Sequence, residues 1–425
     1  MARVVDHGDA RHGLDRSTLI VMGYSVRAAV QCAHHCGVDT IAIDLCQDRD
    51  LTYLSKKHYS LYDPDWPAMV AQSNPNATLL LCGGMEYRLE WIDRLRDDAG
   101  AMSCVFGPTS TQIAEMRKIS NWEQWALSSG LGWPKTFWPL RPPIDVTPGQ
   151  RWLVKAMDGS GGTNIEEYDA TIFEGDRWFS VNPHRYLQRH EPGDSLGVTF
   201  LSSAHGSVVV GAALAWPPSP EASSHKYLYR GSYGPVPLTT QQWSTLHRFA
   251  DEAAMQSELH GLWQADLLLH NGELTLLEIN PRWSASMDLL DVALDLRLVD
   301  WHRDSVQSKM TLENFAAIRT EVNERRSEAQ QNLLGKRIVY TREPFVVSKE
   351  QTDRWWSHRW QGSGTTESQW DEYGCSYADI PNSETVLDVG SPVLTCMAAA
   401  SSPQRLFERL ANAESSLLCG CPRNW

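Results

Sequence analysis

Residues Gly261–Ser286 read GLWQADLLLHNGELTLLEINPRWSAS, and this stretch decides the fold. Two apolar, β-prone runs flank Asn271-Gly272, the strongest short-range signal for a hairpin. In the second run Glu278 and Asn280 are two apart, so both side chains project to one face of the strand. A carboxylate and an amide oxygen side by side are hard ligands of the kind Mg²⁺ takes, usually completed by substrate phosphates. Asp266 joins them in only one register. A two-residue Asn-Gly loop would pair His270 with Glu273 and turn Asp266 to the opposite face. A three-residue loop, His270–Gly272, with a bulge at Gly272, puts Asp266 diagonal to Glu278. The second geometry is expected, because Asp266, Glu278 and Asn280 inside an apolar run need an ion to offset their desolvation.

Upstream, a strand Trp152–Ala156 runs into Asp158-Gly159-Ser160-Gly161-Gly162-Thr163. Such a glycine-rich turn lets backbone N–H groups close around phosphate oxygens, with Lys155 supplying a point charge. It is no Walker A loop, since no Lys-Ser/Thr follows the last glycine. Between them lie a strand-rich block, Trp178–Ala215, and a helix, Thr240–Leu259.

The first hundred residues alternate strands (Ser17–Met22, Thr40–Leu45, Ala77–Cys82, Met102–Phe106) with helices, which predicts a parallel sheet whose ligands gather at the strands' carboxyl ends. One glycine, Gly23, stands where a dinucleotide fingerprint needs three, so this layer is expected to bind no nucleotide of its own. Pro108–Gly132 has helical periodicity, with Ile113, Met116, Ile119, Trp122 and Ala126 on one face, and Arg141-Pro142-Pro143 follows it. Helical pattern continues from Ser286 to about Arg326, ending in the charged run Glu321–Glu328. Beyond it, Lys336–Phe345 and Glu384–Ala398 read as strands separated by a polar loop, Gln361–Gln369. The fold class is therefore α/β and α+β: a Rossmann-like layer (1–107), a two-lobed core (108–300), a helical linker (301–330) and a small β-rich C-terminal module (331–425).

Composition narrows the function. The 425 residues carry 38 Lys and Arg against 52 Asp and Glu, a net charge of −14 that a phosphate backbone would repel. The Trp355-Trp356 and Trp360 cluster is accordingly expected to pack rather than to stack on bases. No apolar run reaches the roughly 20 residues that cross a bilayer, and Met1–Asp15 lacks the apolar stretch of a secretory signal. Nine cysteines are too few for a disulfide scaffold, Cys419 and Cys421 have no second ligand pair, and a reducing cytoplasm is expected.

Lys118 before a helix ending in Gly-Trp-Pro, the strand–lysine–glycine-rich loop and Leu-Glu-Ile-Asn-Pro-Arg, in this order, resemble the ATP-grasp superfamily over roughly Gly107–Asp295. Tyr229–Pro235, Asn280–Ser286 and Asp379-Ile380-Pro381 resemble its subgroup of ATP-dependent carboxylate–amine ligases, related to biotin carboxylase. Some members are associated with one-carbon cofactor biosynthesis. The resemblance implies ATP and Mg²⁺ (or Mn²⁺) as cofactors and a small-molecule acid and amine as partners. It places Lys118 and Lys155 on ATP phosphates and Gly159, Ser160, Gly161 and Gly162 in the flexible lid. Gln188, Arg189 and Glu191 fall in the hinge that meets adenine, and Asp194 at the ribose. Asp266, Glu278 and Asn280 become the metal ligands, and Arg282 steadies charge on the transferred phosphoryl group. Arg189 stands where an acid is usual, Gln264 where a glycine is commoner, and Arg117 could serve in place of Lys118. Arg230, in a glycine-rich turn, suits a substrate carboxylate or an acyl phosphate. Such chemistry needs positioning and charge neutralisation rather than a nucleophilic side chain. A carboxylase using the same ATP site, and a catalytically silent nucleotide-binding scaffold, are the competing expectations.

Overall fold

The computed structural model describes residues 18–63, 65–66, 70, 76–99, 105–139, 149–169, 184–217, 226–329, 333–362, 371 and 373–419. The N-terminal apolar runs form a parallel sheet of β1 (Leu19–Met22), β2 (Thr40–Asp44), β3 (Lys57–Ser60) and β4 (Thr78–Leu81), in the order β3-β2-β1-β4. Strands β1, β2 and β4 are buried throughout, which is why they read as unbroken apolar stretches. The strand β3 escaped notice because it is a sheet edge and carries the polar run KHYS. Of the expected strand Met102–Phe106 only the end lies among the described residues, where Phe106 bridges Thr78 in parallel. Met1–Asp15, Arg141–Pro143, Cys421, the beginning of the Trp178–Ala215 block and most of Gln361–Gln369 also lie outside the described residues.

The helical run after Pro108 is two helices, Ser110–Met116 and Ile119–Ser129, the first opened by a Thr109/Gln112 capping box. All five residues of its expected apolar face are buried. A small antiparallel sheet follows, built from β5 (Thr136–Phe137), β6 (Trp152–Ala156), β7 (Ile165–Glu167) and β8 (Arg185–Arg189) in the order β5-β8-β6-β7.

The second lobe is a large antiparallel sheet of β9 (Asp194–Ser203), β10 (Gly206–Ala215), β11 (Gly231–Gly234), β12 (Gly261–His270), β13 (Glu273–Asn280), β14 (Leu333–Tyr340), β16 (Ser376–Ala378) and β18 (Pro392–Ala400). Its order is β13-β12-β9-β10-β11-β14-β18-β16, with β15 (Phe345–Val346) and β17 (Val386–Leu387) pairing separately. Alternate residues of β9, β10 and β12 feed different cores. Leu196, Val198, Phe200 and Trp263 meet helices Ile119–Ser129 and Thr240–Ser257, whereas Leu201, Val208, Val210 and Leu262 meet Met287–Ala293, Leu298–Val306 and Leu312–Glu328. The expected boundary at 331 thus falls inside one sheet, since β14 pairs with β11. Over 301–329 the helices Leu298–Val306 and Leu312–Glu328 pack onto the body, with Trp301, His302, Phe315, Ile318 and Val322 buried.

The tryptophan cluster packs the C-terminal part onto the first layer. Trp355 and Trp360 are buried, the Arg49 guanidinium lies 4.8 Å from the Trp356 ring, and Arg49 pairs with Asp353 at 2.9 Å.

Candidate active site

The β12–β13 hairpin corrects the expected turn while keeping its consequence. His270 pairs with Glu273, so the loop is the two-residue Asn271-Gly272, with φ of +51° and +83° as a twist-matched tight turn requires. The irregularity lies farther along, where Leu267 pairs with Leu276 and Asp266 with Glu278, leaving Leu277 as the extra residue. A bulge shifts side-chain parity by one. Asp266 and Glu278 are therefore direct cross-strand partners, and Gln264 faces Asn280. The Asn280 amide donates to Asp266 Oδ2 at 2.9 Å and, more weakly, to Glu278 Oε1 at 3.5 Å. Its oxygen accepts from Arg282 Nη2 at 3.1 Å, so presenting that oxygen to a cation requires a half-turn of the amide.

The electrostatics suit a divalent cation. Burial and the neighbouring Glu278 push Asp266 up to about 7. Burial also opposes charge on Glu278, but Arg117 and Lys155 outweigh it and hold that carboxyl below its ordinary value. Two crowded carboxylates with only one fully ionised are a site where a cation replaces a shared proton. No group of three or more His, Cys, Asp or Glu arranged to hold a metal ion occurs among the described residues. The chain's own donors are thus two carboxylates and an amide, leaving the rest of a Mg²⁺ shell to phosphate and water.

These residues line a cleft of about 940 Å³ between the small sheet and the large one. Lys155, on β6, is buried and donates to Gln188 Oε1 at 2.7 Å, and Gln188 Nε2 donates in turn to Thr136 Oγ1 at 3.2 Å. Burial lowers the Lys155 pKa, while Glu278 and Asp266 act against the shift. Gly159, Ser160, Gly161 and Gly162 roof the cleft, and Arg189, Glu191 and Asp194 line it beside Gln188. The unusual Arg189 pairs with Glu191 at 2.5 Å, two residues on. At Gly162, with φ +78°, a Cβ would lie 1.9 Å from the Tyr227 carbonyl oxygen, so only glycine lets the roof approach this closely.

Arg230 and Arg282 line the same cleft. Lys118 does not: it is the residue before helix Ile119–Ser129, more than half exposed, and paired with Glu115. The break between the two helices turns Arg117 inward instead. There Arg117 donates to Ile279 O at 2.9 Å, to Met157 O at 2.8 Å and to the Tyr87 hydroxyl at 2.7 Å. Sequence reasoning missed three contributors. Glu86 accepts from Arg282 Nε at 2.9 Å, Tyr87 donates to Gly159 O at 2.7 Å, and Arg27 lines the cleft. The available signal was position, since Glu86 and Tyr87 follow β4, and Arg27 follows β1, at the carboxyl edge of a parallel sheet.

Residues 136–286, a little over a third of the chain, match the family model described as an ATP-grasp domain. No curated protein matches the sequence. Among solved structures, pyruvate carboxylase from Rhizobium etli aligns with TM-score 0.66 at 13% identity, over 93% of this chain but only 37% of that one. The biotin carboxylase of Campylobacter jejuni, in a complex with β,γ-ATP by its description, aligns with TM-score 0.61 at 11% identity over 95% and 90%. An L-amino acid ligase from Bacillus licheniformis aligns with TM-score 0.61 at 10% identity over 94% and 97%. At such identities the likeness is one of fold.

Proposed function

We propose that this chain, which carries an ATP-grasp domain and has that fold throughout, is an ATP- and Mg²⁺-dependent ligase that joins a carboxylate to an amine. The observation that carries the reading is the cross-strand Asp266–Glu278 pair, in a cleft shared with buried Lys155 and the glycine-rich roof. ATP supplies the phosphoryl group that gives a carboxylate a good leaving group, and the metal neutralises charge between the phosphates. The chain's residues bind and orient. Lys155 is fixed by Gln188 as a point charge, Arg282 is aimed by Glu86 and Asn280, and the roof excludes water.

A second stretch of the cleft wall suits an anionic substrate. Arg27, Arg230 and Lys336 line it with Asp379; Lys336 is paired with buried Asp288, and Arg27 Nη1 is buried without a hydrogen-bond partner among the described residues. The rest of that guanidinium is spent on Asp379, through Nε at 2.8 Å and Nη2 at 3.3 Å, and Nη2 also lies 3.7 Å from Asp288 Oδ2. A buried donor left unpaired costs about 1–3 kcal/mol, which a substrate carboxylate would recover.

The test is ADP release from MgATP with candidate acid–amine pairs, with and without bicarbonate. Release that needs one acid and one amine supports the ligase. Bicarbonate dependence without an acid would replace it with the carboxylation for which the likeness to biotin carboxylase argues. MgATP binding without turnover across a broad panel would reduce the protein to a nucleotide-binding scaffold.

A further inference from the structure

The short turn Met85–Tyr87 belongs to the N-terminal layer, whose sequence carries only one glycine of a dinucleotide fingerprint, yet it reaches two residues that line the cleft, Arg282 and Gly159. Glu86 is 4% exposed and accepts from Arg282 Nε at 2.9 Å, while its second oxygen has no hydrogen-bond partner among the described residues. A half-satisfied buried carboxylate is costly, and it persists where it fixes an opposing charge. Arg282 is forked further by Ser284 Oγ at 2.5 Å and Asn280 Oδ1 at 3.1 Å, so its plane is set from three sides. The adjacent Tyr87 hydroxyl donates to Gly159 O at 2.7 Å and accepts from Arg117 at 2.7 Å. Arg117 also holds Met157 O, at the entry to the roof, and Ile279 O, between the two acidic-strand residues Glu278 and Asn280. The roof is secured on its other side by the Tyr229 N–H on Gly161 O at 2.8 Å.

We propose that Glu86 and Tyr87 form a clasp from the N-terminal layer, in which Glu86 positions Arg282 for the transferred phosphoryl group and Tyr87, directly at Gly159 and together with Arg117, holds the glycine-rich roof over the phosphates. Both are positioning residues. The two halves act on different stages: the roof grips bound nucleotide, whereas a correctly aimed Arg282 matters most as charge develops. This rests on the nucleotide reading above, but not on the identity of acid or amine.

The experiment compares wild type, Tyr87→Phe and Glu86→Gln in the full chain. Binding of MgADP and of MgADP with aluminium fluoride, a mimic of the phosphoryl group in transfer, is measured by calorimetry. Amide hydrogen exchange is followed across Gly159–Thr163. For Tyr87→Phe, which removes the bond to Gly159 O and the one from Arg117, exchange in the roof rises and MgADP weakens by roughly threefold to tenfold, the worth of the lost roof bond, with melting temperature lowered by at most a few degrees. For Glu86→Gln, MgADP binding and roof exchange stay near wild type, but the aluminium fluoride complex weakens by about tenfold or more. Unchanged roof exchange in Tyr87→Phe, or equal weakening of both complexes in Glu86→Gln, overturns the clasp. So does a large fall in melting temperature in either variant, which makes the residue a packing element. A wild type that fails to bind MgADP would remove the nucleotide site itself, an outcome distinct from a wild type that binds while the variants behave alike.

Discussion

Replacing Asp266 by Asn should make the protein more stable when no divalent cation is present. Asp266 accepts from Gln264 Nε2 at 2.8 Å and from Asn280 Nδ2 at 2.9 Å, yet burial and Glu278 raise its pKa from 3.8 to about 7. A raised acid pKa means that the folded form binds a proton the unfolded form has released. In chelator, stability therefore falls as pH climbs from about 4 to 7, and the whole loss is present above 7. At 1.36 kcal/mol per pH unit the loss is at most about 4 kcal/mol. An Asn at this position removes the buried charge but turns an NH₂ toward one of the two donors, at a cost of about 1–2 kcal/mol. The expected net gain at pH 8 in chelator is on the order of 2 kcal/mol, read from urea denaturation midpoints. Added Mg²⁺ with ADP should raise the wild-type midpoint and leave the variant's much less changed. A variant less stable than wild type in chelator at pH 8, or one equally stabilised by Mg²⁺, would refute the carboxylate-pair reasoning.

Glu278→Gln should lower ADP formation by more than 100-fold while ATP affinity changes only severalfold, because it weakens metal coordination rather than the adenine end; comparing kcat with nucleotide Kd checks this. Gly162→Ala should weaken MgADP binding, since the added methyl meets the Tyr227 oxygen at a positive φ, and loop exchange should rise with it. His302 is buried with Nε2 donating to Leu79 O at 3.0 Å and Nδ1 accepting from Leu262 N–H at 3.1 Å, and burial lowers its pKa from 6.5 to about 4. Stability should thus be lost as pH falls from about 6.5 to 4, by about 3 kcal/mol from this group. Asp50 (about 6) and Asp291 (about 7), raised by burial, work the other way. The difference in urea midpoint between wild type and His302→Gln, followed with pH, isolates the histidine, and parallel profiles would count against its role.

The parts legible in the sequence are those where local pattern and tertiary environment agree. Strand β6 runs over Trp152–Ala156 as expected because its bounds are set by apolar side chains and a following glycine loop. Lys155, the glycine-rich roof and the acidic face of the hairpin follow from it. The bulge at Leu277 was not legible: Leu276, Leu277 and Ile279 are all apolar, so nothing in residue type marks which one leaves the ladder. Likewise Arg117-Lys118 offers two adjacent cations, and only the break between two helices decides which one turns inward. Glu86 meets Arg282 across 196 residues of chain and Tyr87 meets Gly159 across 72, and no local periodicity encodes such meetings.

The union of β11 with β14 bears on how this chain can be cut. Ending it before Leu333 would strip the partner from Gly231–Gly234 and expose a row of unsatisfied backbone donors and acceptors beside the cleft. Such a fragment would seek another polypeptide to complete its ladder, so its fate is self-association. It would also lose both the ammonium of Lys336, 2.6 Å from buried Asp288, and Asp379, the partner of Arg27, breaking up a buried charge network of which only the Arg27–Asp288 pair would remain. For engineers this means that the last ninety or so residues are no detachable appendage, and that swapping them between relatives requires grafting along a seam of hydrogen bonds rather than at a loop.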